Sequence, residues 1–85
     1  MLFRSRWHVF TEFTVFTAAG RELRIDRLMI DEAAKAVEII DYKTGETYAE
    51  EQMEMYVAAV ADLPWLKENT YSIHGRFIEI HVLDQ

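Results

Sequence analysis

At 85 residues, 51% of them hydrophobic, the chain has the size of one domain around one core and is too short for two. A formal charge of −6 argues against a protein that grips nucleic acid through a basic surface of its own, but leaves open a metal-dependent site whose carboxylates are offset by cations. The absence of cysteine excludes disulfides and thiolate zinc sites, and with no leader-like segment and no run of about 18 apolar residues the chain reads as soluble, cytoplasmic and without membrane contact.

From Trp7 to Thr17 the run WHVFTEFTVFT is rich in aromatic and β-branched residues and predicts a strand, with Ala18-Ala19-Gly20-Arg21 as the turn after it. Glu22 to Asp31 predicts a second strand, and Asp31-Glu32-Ala33-Ala34-Lys35 is a short polar connection to a third, Ala36 to Lys43. Hairpin-length loops make these three an antiparallel meander, which Thr44-Gly45-Glu46-Thr47 ends. Between about Tyr48 and Leu63, Met53, Tyr56, Val57 and Val60 recur at helical spacing. Glu50, Glu51 and Glu54 gather toward the N-terminal half, where the helix dipole favours anions, and Pro64 closes the helix. A loop through Trp65-Leu66-Lys67-Glu68-Asn69-Thr70 leads to Tyr71–Leu83, where Ile73, Phe77, Ile78, Ile80 and Val82 suit one strand or a strand pair broken near Gly75. The order βββαβ predicts an α/β fold with one main helix on a sheet, and no repeat, low-complexity tract or linker divides it.

Asp41 and Lys43 stand two apart on the third strand, so their side chains share a face, and Asp26 on the adjoining strand can reach that face. Two acids and an amine at the edge of an apolar sheet are costly to bury unless paired, and a divalent cation is one way to pair them. Plainer readings exist: Asp26 as a salt bridge to Arg24 or Arg27, Asp41 with Lys43 as a strand-end charge pair, Gln52 and Tyr56 as helix surface and core. His8, His74 and His81 lack ligand-like spacing, and Trp7 and Trp65 are read as packing residues; the exposed-aromatic, basic-groove pattern of single-strand binders is not visible.

Ile25-Asp26-Arg27, then Asp41-Tyr42-Lys43-Thr44-Gly45, then Gln52-Met53-Glu54-Met55-Tyr56 resemble the PD-(D/E)XK nuclease superfamily, specifically its RecB-like exonuclease domains found in or beside helicases. The resemblance covers roughly Glu12 to Val60. It implies a restriction-endonuclease-like core with a mixed sheet, Asp26 and Asp41 as metal ligands with a backbone carbonyl near Tyr42, and Lys43 positioning the attacking water or stabilising charge on the phosphate. It also implies that Gln52 and Tyr56 form the helix motif beside the site, and as i, i+4 neighbours they share a helix face. Carboxylate ligation favours Mg²⁺, with Mn²⁺ as a substitute, over zinc. The implied substrate is DNA and the implied partner a helicase domain or subunit, in recombination and repair.

The sequence departs from this pattern in two places. Leu23 stands where family members commonly have a glycine, and only Met1 to Arg6 precede the first strand, so the family's N-terminal helix is expected to be absent. Residues 1–85 are therefore expected to be a single nuclease-like domain, a minimal core or fragment of a larger protein. Glu12 is a candidate to supply part of what that helix would bring, and an exposed position between Phe10 and Thr14 serves it equally well. The alternative function is a catalytically inactive nuclease-fold module with a structural or DNA-docking role; a third is a small acidic interaction domain unrelated to nucleases.

Overall fold

The computed structural model describes residues 7–43 and 50–80. Within them run β1 (Trp7–Phe16), β2 (Glu22–Asp31), β3 (Ala36–Lys43), α1 (Glu50–Ala61), α2 (Pro64–Lys67) and β4 (Ser72–Glu79). The sheet order is β1-β2-β3-β4; the first three strands are antiparallel and β4 lies parallel to β3. Parallel neighbours need a crossover rather than a hairpin, and the helical segment between β3 and β4 provides it. The mixed α/β core with one main helix is thus the architecture expected from the sequence.

Local chemistry sets the two hairpins. Gly20 takes φ +88°, a conformation costly for a residue with a Cβ, and Thr17 closes the turn by accepting from Gly20 N through its carbonyl and from Arg21 N through Oγ1, at 2.8 and 3.0 Å. In the second connection Asp31 Oδ1 accepts from Ala34 N at 3.1 Å, the local side-chain bond that favours Asp in turns.

The core fills one face of the sheet. Val15 from β1, Leu23, Ile25, Leu28 and Ile30 from β2, and Val37 and Ile39 from β3 meet Met53, Tyr56, Ala59 and Val60, which line one side of α1. Full burial of one such aliphatic side chain contributes roughly 1.5–3 kcal/mol, so this interface is what holds the helix down. Gly75 on β4 keeps the contact close: a Cβ there would run into the Met53 side chain at Sδ and Cγ.

One local expectation needs correction and one open alternative is decided. Pro64 does not merely close the main helix but opens α2, sitting in its first turn, where a missing N–H costs nothing; Leu66 on that turn is buried in the core. The last strand is not broken near Gly75, since β4 pairs with β3 without interruption from Ser72 to Glu79. Expectations for the strand end at Thr44-Gly45-Glu46-Thr47, the helix start near Tyr48, the strand end at Val82 and Leu83, His81, and the absent helix before Trp7 lie outside the described residues. Among the described residues no helix is long and apolar enough to cross a membrane.

Candidate active site at the fork of two strands

Residues 23 and 25 of β2 point into the core, and so do 28 and 30, although strict two-residue alternation cannot place both pairs on one face. The phase changes at Asp26 and Arg27. Asp26 is absent from the pairing on both sides: on β1 the ladder skips from Thr11↔Arg27 to Phe13↔Ile25, and on β3 it stops at Arg27↔Ile40. Glu12, which would stand opposite Asp26, takes φ +52°, a left-handed conformation rare for a residue with a side chain. β2 therefore bends where it parts from β3.

Asp41 follows Ile40 directly at this fork. In place of the missing backbone bond, Asp26 Oδ2 accepts from the Tyr42 amide at 2.9 Å, so a side chain continues what the ladder has stopped doing. Two residues on, Lys43 Nζ lies 2.9 Å from Asp41 Oδ2 and donates to Gln52 Oε1 at 3.0 Å. Gln52 Nε2 donates to the Tyr56 hydroxyl at 2.8 Å. The i, i+4 spacing on α1 thus places Gln52 and Tyr56 on the face turned toward the fork, and an unbroken polar chain runs from Asp41 to Tyr56. β4 adds Phe77, the register partner of Asp41, whose ring centre is 5.7 Å from Lys43 Nζ. Phe77 reads in the sequence as one more apolar strand residue, and only the parallel register gives it this place.

Electrostatics set Asp41 apart. It is 4% exposed, and burial pushes its carboxyl above the ordinary value; Lys43 pulls it back down and the neighbouring Asp26 pushes it up again. Although Lys43 is close enough to Asp41 Oδ2 for an ion pair, it lies off the line of a hydrogen bond, which leaves that buried oxygen with a charge nearby but no directed donor. Tyr56 is also raised, first by its own burial and then by the negative charge of Asp41 and Asp26. Both carboxylates therefore lie near enough to the Tyr56 hydroxyl to disfavour its ionisation.

The donor set fits a hard divalent cation: two adjacent carboxylates, with the charge of Asp41 disfavoured by burial and by Asp26, one buried oxygen without a directed donor, and no sulfur or imidazole ligand beside them. Among the described residues no group of three or more His, Asp or Glu side chains converges, so carbonyl or solvent oxygens would complete the shell. Of the residues singled out in the sequence, Asp26, Asp41, Lys43, Gln52 and Tyr56 meet here, together with the backbone of Tyr42. Glu12 does not. Its carboxylate is solvent-exposed, 3.7 Å from Arg24, and the residue bears on the fork only through its backbone. Among the described residues no ion pair joins Asp26 to Arg24 or to Arg27.

The family model of the PD-(D/E)XK nuclease superfamily matches residues 10–80. No curated protein and no solved structure matches the chain.

Proposed function

Because the chain belongs to the PD-(D/E)XK nuclease superfamily, we propose that it is a metal-dependent deoxyribonuclease of the RecB-like exonuclease type, working with a helicase in recombination and repair. The observation that carries this reading is the meeting of Asp26, Asp41 and Lys43 with Gln52 and Tyr56 at the fork of β2 and β3. Asp26 and Asp41 would hold Mg²⁺, or Mn²⁺ in its place, with the Tyr42 carbonyl as a further oxygen ligand. When bound, such a cation supplies a nucleophile at neutral pH and offsets charge building at phosphorus.

The remaining work falls to the chain itself. Lys43 carries a compact positive charge beside the acids and orients the attacking water or the phosphate oxygen. Gln52 holds that ammonium by its carbonyl, and Tyr56 holds the Gln52 amide, so the helix fixes the lysine rather than leaving it to solvent. DNA is the substrate in this reading, and a helicase domain or subunit feeds the strand; the net charge of −6 favours a partner that grips the DNA.

A titration with Mn²⁺, followed by paramagnetic broadening of backbone resonances, tests the site: signals of Asp26, Tyr42 and Lys43 disappear first. Asp41→Ala and Lys43→Ala abolish cleavage of linear DNA while the fold persists, and retained cutting by either variant sinks the assignment of roles. A second reading, an inactive nuclease-fold module that docks DNA, is favoured by one observation: Lys43 sits against Asp41 where a cation would compete with it. Absence of Mn²⁺ binding at millimolar concentration decides for that alternative.

A further inference from the structure

The end of the sheet away from the fork carries a small cleft. His8 and Phe10 of β1, Ile30 of β2, Glu32 of the following turn and Trp65 of α2 line a cleft of about 170 Å³. Phe10 and Trp65 are each 42% exposed, so two large aromatic side chains stand open to solvent at one cleft. Ile30 forms its floor and belongs to the core, and Phe10 packs against Phe13, itself on the core face, with ring centres 5.7 Å apart. The cleft therefore opens on the helix-bearing face of the sheet, the face that holds Asp41 and Lys43.

Its contents suit one kind of ligand. The volume takes a single flat ring system and is too small for a drug-sized molecule. Aromatic faces give stacking area, while Glu32 and His8 supply an acceptor and an imidazole at the edge, the groups that meet amino and carbonyl functions of a base. Two of the chain's three lysines lie at the same end: Lys67 follows Trp65 by two residues on α2, 3.9 Å from Asp62, and Lys35 stands over the Tyr71 ring. Ile30 is four residues from Asp26 along β2, about 13 Å at the rise of a strand. About four stacked nucleotides cover that distance.

We propose that this cleft is a subsite for one unpaired nucleobase of a single-stranded substrate, stacked on Trp65 and Phe10 a few nucleotides from the phosphodiester at the fork. The proposal rests on the nuclease reading for its substrate class. It gives an acidic domain a way to hold a strand by base stacking where it has few phosphate contacts to offer.

The test uses the two tryptophans of the chain. In a Trp7→Phe background Trp65 is the sole tryptophan, and with excitation beyond the tyrosine absorption dT12 at low salt with EDTA, where no cutting occurs, quenches its emission. In the same conditions Trp65→Ala weakens dT12 binding roughly 5- to 100-fold by anisotropy, and Trp65→Phe recovers most of it. Unchanged Trp65 emission, or equal binding by Trp65→Ala, overturns the subsite. Mn²⁺ broadening at Tyr42 and cleavage are measured in parallel on each variant. Mn²⁺ binding and cutting with a silent Trp65 leave the nuclease standing and remove the subsite; a Trp65 response without Mn²⁺ binding does the reverse.

Discussion

Ile25 and Asp26 are neighbours on β2, and Ile39 and Asp41 are one pleat apart on β3, yet the apolar member of each pair lies in the core and the acidic member at the fork. In the core, interchangeable aliphatic contacts press the sheet against α1, and no one of them has to be in a single orientation. At the fork every contact is directional: Asp26 to the Tyr42 amide, Lys43 to Gln52, Gln52 to Tyr56. The apolar patch stabilises the fold, while the polar patch holds charge in a buried place at a cost to stability. Strand geometry lets one helix–sheet interface contain both, because β2 changes phase between them.

The comparison can be broken most sharply by one substitution on each side. Ile39→Ala costs roughly 2–5 kcal/mol in chemical denaturation, because Ile39 is fully buried and its loss opens a cavity. Asp41→Asn at neutral pH leaves the melting temperature unchanged or higher, since burial already disfavours the Asp41 charge, and at the same time removes cleavage. A large loss of stability in Asp41→Asn would make the fork part of the core after all. Gly75→Ala asks whether the apolar side has slack: the new methyl meets Met53, and the expected cost is about 1–3 kcal/mol. Combining it with Met53→Ala recovers part of that, a non-additivity read directly from a double-mutant cycle.

A subtler contrast lies in pH. The Asp41 carboxyl is raised in the folded state, so its contribution to stability is fully present in acid, below its unfolded value, and is lost as pH rises through the folded one. Wild type therefore loses a little stability across that window that Asp41→Asn does not. Within the same window Mn²⁺ binding releases a proton, which calorimetry in two buffers of different ionisation heat detects. The smallest effect concerns the bend itself. Glu12→Gly removes the cost of a positive φ but loosens the unfolded chain, so it changes stability by no more than about 1 kcal/mol, whereas glycine at Phe13 in the same strand is clearly destabilising.

The strands and main helix were legible because their apolar periodicities are strong: β2 spans the residues the pattern gives it, β3 starts at the expected Ala36, and α1 stops at Ala61, just short of the expected Leu63. Lys43 on the face of Asp41 followed from the two-residue period alone. The bend at Asp26 was not legible, since it depends on Glu12 adopting a conformation that the sequence around it does not announce. For the same reason Glu12 read as a candidate side chain, although only its backbone reaches the fork. Pro64 as a helix start was hidden by the same residue's use as a helix stop, and Leu66, whose burial decides between them, is visible only once α2 is packed. Trp65 read as a packing residue because composition cannot tell an aromatic ring inside from one at a rim.

The bond from the Tyr42 amide to Asp26 also turns the site into its own spectroscopic reporter. Most strand amides answer to a neighbouring carbonyl, which neither titrates nor exchanges ligands. Tyr42 answers to a carboxylate, so its proton and nitrogen shifts will follow every change of charge or ligand at Asp26. A single cross-peak in a ¹⁵N spectrum can then count occupied sites in solution, with no substrate, no label at the metal and no turnover.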